Sequence, residues 1–147
     1  MKRIIVLALL AGCGESLRDD ITPFEDLDYQ TWKHVEVHGD APGHTGFRTI
    51  YVNDIGRDAS QSFVLGYQEG TMFVKEVFDD NGGVKGDLRH IAVMRRIGKV
   101  EKALEDDGGW YFTEAPAGGP EQHFDFCFRR CHASAPYNGA WLDYRDQ

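Results

Sequence analysis

The chain has 147 residues, 41% of them hydrophobic and 27% charged, and a formal net charge of -8 at pH 7. A chain of this size builds one domain with a real core and is too short for two. Its acidity excludes nucleic acid as a partner, because a phosphate backbone selects for basic surfaces.

Met1-Lys2-Arg3 is a short basic head, and Ile4-Ile5-Val6-Leu7-Ala8-Leu9-Leu10 after it is an apolar run of signal-peptide length, too short to span a bilayer. It leads into Leu10-Ala11-Gly12-Cys13, which resembles the bacterial lipoprotein box, where the peptide is cut before the cysteine and that cysteine carries lipid. Residues 1–12 are therefore expected as a lipoprotein signal peptide. Lipid on Cys13 would hold the protein to a membrane in the bacterial periplasm or cell envelope, the outer membrane foremost, without a transmembrane helix. The alternative is an ordinary secretory signal with an incidental Cys13. Loss of Lys2 and Arg3 with the peptide takes the charge from -8 to -10.

Residues 13–25 read as a polar tether and 26–147 as the folded domain. Phe24, Leu27, Trp32 and Val35 give a loosely helical pattern over Phe24 to Val37, with Thr22-Pro23 as its start. His38 to Gly46 reads as loop. Strand character follows at Phe47 to Asn53, Thr71 to Phe78, Ile91 to Ile97 and Trp110 to Glu114, separated by Gly, Asp or Asn clusters of which Asp79-Asp80-Asn81-Gly82-Gly83 is the clearest turn. A short helix is expected within Asp58 to Tyr67 and a helical turn or irregular connection at Lys99 to Asp106. Such spacing leaves no room for helical crossovers between most strands. The expected fold is therefore α+β, mainly antiparallel β-sheet with a few flanking helices.

Cys127-Phe128-Arg129-Arg130-Cys131-His132 carries the chemistry. Two nearby cysteines with a histidine directly after the second are how a c-type haem is attached: each thiol adds to a porphyrin vinyl group and the imidazole binds the iron. The spacer here is three residues instead of two, so the extra residue must bulge outwards. Two other readings of the element are a disulfide, which suits a four-residue helical separation poorly, and a structural zinc site made with His123. The cysteine count favours haem, since lipid on Cys13 and haem on Cys127 and Cys131 leave no spare thiol among the three. No residue after His132 can ligate iron, and Met72 and Met94 sit on strands among apolar neighbours, where methionine is core filler. The expected iron is five-coordinate, with an open face.

Trp32, His44, Arg48-Thr49-Ile50-Tyr51-Val52-Asn53, Gly70-Thr71-Met72-Phe73-Val74-Lys75-Glu76, Ile91-Ala92-Val93-Met94, Gly109-Trp110-Tyr111-Phe112 and the C-terminal cysteine element, in that order, resemble the cytochrome P-460 family. The resemblance implies a periplasmic protein with covalent haem c, an antiparallel sheet with flanking helices and a homodimer. It also implies oxidation of hydroxylamine or nitric oxide, with an unidentified redox partner protein. Sister proteins, the beta-type cytochromes c prime, imply the alternative of non-catalytic nitric oxide binding. In the hydroxylamine-oxidising members a lysine bonds to the porphyrin edge, and Lys75 stands where the resemblance places it. Those members also carry a distal carboxylate. Here Ala92 takes that position, and His90, two residues earlier on the same strand face, is the candidate base; its other reading is a surface histidine at a strand start. Arg129 and Arg130 are candidates for the haem propionates. Phe124, Phe126, Phe128, Trp110 and Phe112 are expected to wall the haem or the core. His34, His38 and His44 cluster in number across an expected helix end and loop, a weak pattern for a metal.

Overall fold

The computed structural model describes residues 14–58, 66–98 and 106–145. The expected signal peptide and Cys13 lie outside these residues, as do most of the helix expected within Asp58 to Tyr67 and of the connection expected at Lys99 to Asp106. Among the described residues no helix is long and apolar enough to cross a membrane.

Six strands lie side by side in the order in which they occur in the chain: β1 (Lys33–Gly39), β2 (Gly46–Val52), β3 (Met72–Asp80), β4 (Lys85–Arg96), β5 (Trp110–Pro116) and β6 (Gln122–His123). Every neighbouring pair is antiparallel, as the short connections require. At the β3–β4 turn the Asn81 N–H donates to the Val84 carbonyl at 2.9 Å and the Gly83 N–H to Asp80 Oδ1 at 2.6 Å. Gly82 and Gly83 take φ values of 68° and 90°, a region that side chains rarely enter.

The helix expected over Phe24 to Val37 does not form. Two 3-10 turns, Phe24–Asp26 and Tyr29–Thr31, lead straight into β1. Period 2 overrides the looser helical spacing here. Val35 and Val37 turn inwards while His34, Glu36 and His38 are exposed, and seven residue pairs with β2 satisfy the backbone. The expected tether also differs from a free linker, because residues 14–25 run against the domain. Glu15 and His123 exchange backbone hydrogen bonds at 3.1 and 2.8 Å, and the Phe24 N–H donates to Glu121 Oε2 at 2.8 Å.

The sheet is covered on both faces. Phe24, Tyr29, Tyr51, Val74, Ile91, Val93 and Ala115 pack on one, under the 3-10 turns. On the other are Ile50, Val52, Phe73, Met94, Trp110 and Phe112, with Tyr67, Ala140 and Tyr144 over them. Two short α-helices lie wholly among the described residues: α1 (Asp54–Arg57), capped by Asn53 Oδ1 accepting from Gly56 N–H at 3.0 Å, and α2 (Phe126–Arg130).

Arg95 and Glu121 form an ion pair at 2.6 Å with side chains 4% and 3% exposed. Thr113 hydrogen-bonds both, and the Thr22 carbonyl accepts from Arg95 Nη2 at 3.2 Å. The pair ties the N-terminal segment and the β5–β6 connection to the sheet. Removing one partner leaves the other charge buried and unanswered. Glu121→Ala is expected to cost about 3–5 kcal/mol in urea denaturation.

Candidate functional site

One wall of the site is the C-terminal segment. Cys127 and Cys131 stand one helical turn apart, with the Cys131 N–H donating to the Cys127 carbonyl at 3.2 Å, and both are free thiols. Cys131 already leaves the helix, at φ -133° and ψ -51°, which turns His132 inwards. His132 is 6% exposed, and its ring lies 4.8 Å from that of Phe112. Its Nδ1 is 2.7 Å from the Gly139 carbonyl. A carbonyl only accepts, so Nδ1 carries the proton and Nε2 keeps a lone pair. The loop behind it is fixed in turn, because Trp110 Nε1 donates to the Asn138 carbonyl at 2.8 Å. Gly139 has φ 96°, and a Cβ there would stand 2.6 Å from Trp110 Nε1.

The opposite wall is the sheet. Cross-strand register sets Ile50, Lys75, Ala92 and Glu114 in one row and Val52, Phe73, Met94 and Phe112 in the next. Between the walls lies a narrow cavity of about 20 Å³ lined by Lys75, Ala92, Met94, Phe112, Glu114, Cys127 and His132, with His44 reaching in from the β1–β2 loop.

Burial dominates the electrostatics. It lowers the Lys75 pKa to about 8, helped by Arg48 and opposed by Glu114. Burial raises that of Glu114, opposed by Lys75 and Arg89. Burial, then Lys75 and His90, brings His44 to about 2; burial, then Arg89 and Lys75, brings His90 to about 4. His132 falls to about 4 by burial, against the pull of its Gly139 bond. Cys127 is pushed up to about 12, by burial first and then by Glu114. At neutral pH the imidazoles are neutral and the Cys127 thiol keeps its proton.

Cys127, His132 and Lys75 line one pocket, and Cys131 follows on the same segment. His90 sits at the pocket's edge: partly buried, it has Nε2 3.3 Å from His44 Nδ1. Met94 lines the pocket, whereas Met72 packs on the other face of the sheet. Arg129 and Arg130 are exposed, the first paired with Asp125 at 2.9 Å and the second over the Phe126 ring. Phe128 packs against the core, but Phe126 is 39% exposed. His34 and His38 lie on β1, away from His44, with His38 on Asp80 at 2.8 Å. His123 stacks on Tyr111 and bonds the Phe112 carbonyl at 2.9 Å. Among the described residues His123, Cys127, Cys131 and His132 do not converge on a point as a zinc site requires; His44, His90 and Glu114 do.

Three residues were not legible as pocket groups in the sequence. Glu114 shares the face of Trp110 and Phe112, so the period of 2 along β5 held the signal for it. His44 comes from a loop, which has no periodicity to read. Arg48 is 6% exposed on the pocket face of β2, and its Nε has no hydrogen-bond partner. A buried cation in that state fits a ligand that carries carboxylates.

A family model described as Cytochrome P460 matches residues 27–139. No curated protein matches the chain.

The depressed imidazoles carry a signed consequence for stability. Unfolded histidines take up a proton near about pH 6.5, whereas His90 and His132 resist until about 4. Over that interval the unfolded state binds more protons, so stability falls as the pH falls. Urea denaturation at pH 7 and pH 5 is expected to show this loss, and His90→Gln is expected to reduce it.

Proposed function

Since the chain belongs to the cytochrome P460 family, whose members are haem proteins, we propose that it is a lipid-anchored c-type haem protein that oxidises hydroxylamine or nitric oxide. Cys127 and Cys131 would hold the haem through thioether bonds, and His132 would bind its iron. Tautomer supports the ligand role, as the Gly139 carbonyl holds the Nδ1 proton and keeps Nε2 available. Arg48, not Arg129 or Arg130, is the buried cation suited to a propionate. Lipid on Cys13 makes the protein a resident of the bacterial cell envelope.

The observation that carries the catalytic reading is the placement of Lys75 and Glu114 in one row of the pocket wall, on either side of Ala92. Haem, when bound, supplies the electron-accepting centre. Hydroxylamine must also give up protons, and Glu114 puts a carboxylate on the pocket wall although Ala92 takes the aligned position. Lys75 while charged opposes the burial that raises Glu114, and burial brings Lys75 itself close to losing its proton near neutral pH, the form that attachment of its Nζ to a porphyrin edge would require. His90, the base expected from the sequence, stands behind it, hydrogen-bonded to His44.

A second reading is favoured by the apolar part of the same wall. Phe73, Ala92, Met94 and Phe112 offer no hydrogen-bond donors, which suits storage or sensing of nitric oxide at an open iron.

Haem staining after denaturation is expected to persist, and to be lost in the Cys127→Ser, Cys131→Ser double variant. Proteolysis is expected to yield a haem-bearing peptide containing Lys75. Glu114→Gln is expected to lower kcat for hydroxylamine by about 10²–10⁴-fold. Because the Glu114 pKa is raised, wild-type turnover should decline on acidification at a higher pH than an ordinary carboxylate dictates. Nitric oxide binding with no hydroxylamine turnover in the wild type would establish the second reading.

A further inference from the structure

His44 on the β1–β2 loop, His90 on β4 and Glu114 on β5 each send one donor atom to a common point, all within 4.8 Å of one another. His44 Nδ1 is 3.3 Å from His90 Nε2 and 4.0 Å from Glu114 Oε1. Donors held 2.0–2.1 Å from a tetrahedral ion are about 3.3 Å apart. The imidazole pair already has that separation, and the carboxylate needs to close by about 0.7 Å on His44 and by no more than about 1.5 Å on His90. In its metal-free form one ring nitrogen must donate a proton to the other. An ion would take the place of that proton.

The loop is held ready for this. The His44 N–H donates to the Ala41 carbonyl at 2.9 Å, and Thr45 Oγ1 donates to the same carbonyl at 2.8 Å. Arg48 Nη1 then donates to the His44 carbonyl at 3.0 Å from β2, and Arg89 Nη2 to the Thr45 carbonyl at 2.9 Å from β4. His44 is thereby pinned over the sheet from two strands. The cations Lys75, Arg48 and Arg89 face the cluster and oppose a dication. Hard ions, which depend on charge and oxygen donors, are disfavoured there. Imidazole nitrogen suits first-row transition metals, whose bonding is more directional.

From this geometry we propose that His44, His90 and Glu114 form a second metal centre, distinct from His132, that takes a divalent first-row transition ion such as zinc through three protein ligands and leaves a position open. The centre does not depend on haem attachment. A bound ion occupies the Glu114 oxygen that otherwise accepts a proton, so zinc opposes turnover.

The test is equilibrium dialysis of the purified full chain against zinc, with zinc and iron quantified in the same samples. Iron reports haem independently, so a failure of the haem reading is separable from a failure of this one. The expected result is saturable uptake of about one zinc per chain. His90→Ala and Glu114→Gln should each weaken it at least about tenfold, while His38→Ala and the Cys127→Ser, Cys131→Ser double variant retain it. Absence of saturable zinc, uptake indifferent to both pocket variants, or uptake lost with the cysteines overturns the proposal. Zinc X-ray absorption on the unmutated chain gives the answer without any variant. Nitrogen and oxygen scatterers near about 2.0 Å support the site, and sulfur near about 2.3 Å refutes it.

Discussion

The register of the antiparallel sheet is the constraint on which the pocket depends. Lys75 pairs with Ile50 on one side and Ala92 on the other, and Ala92 pairs with Glu114. A slip of one residue between any two of these strands would send a member of the row to the opposite face. The irregularities of β3 and β4 fall between Val77 and Asp80, towards the exposed turn. Register is therefore preserved where the polar groups meet. Phe73, Met94 and Phe112, one row along, anchor it by burial: a slip would take these side chains out of the cluster they fill with Tyr67, Ala140 and Tyr144 and drive them into the packed opposite face.

Burial in that row has a different effect on each polar member. A carboxylate and an ammonium in a low-dielectric space both favour neutrality, so desolvation raises Glu114 and lowers Lys75. Their attraction opposes both changes, and Arg48 and Arg89 bias the balance by adding positive charge. Histidine has no such compensation. His44 and His90 are desolvated among cations, and both remain neutral as a result. The wall thus pairs a poised acid and amine with two imidazoles that keep lone pairs at neutral pH.

Much of the fold was legible because strands with one period and short connections permit few alternatives. β2, β3 and β5 fall within one or two residues of expectation, and the Asp79–Gly83 stretch encloses the turn. β4 begins six residues before Ile91, since Lys85 to His90 pairs with β3 despite its polar composition. The failure at Phe24 to Val37 came from joining two environments into one pattern: Phe24 belongs to a 3-10 turn under one face, and Val35 to an edge strand that packs on the other. At the site, Lys75 and His132 were readable from local motifs. The convergence of His44, His90 and Glu114 was not, because it arises from a loop and two strands up to 70 residues apart.

The two walls differ in how they are held, and that difference bears on chemistry. His132 is fixed by a chain of single-partner contacts: its Nδ1 to the Gly139 carbonyl, that loop to Trp110, and Trp110, fully buried, to Phe73 by stacking at 5.6 Å. Trp110 and Phe73 belong to the sheet that forms the other wall. His132 and the row of Lys75, Ala92 and Glu114 are therefore referred to the same strands, and their separation cannot change without breaking β5 packing. His44 alone enters from a loop, tied by arginines from β2 and β4. The position of His44 over His90 and Glu114 consequently depends on those two arginines, and loss of either would disturb the cluster.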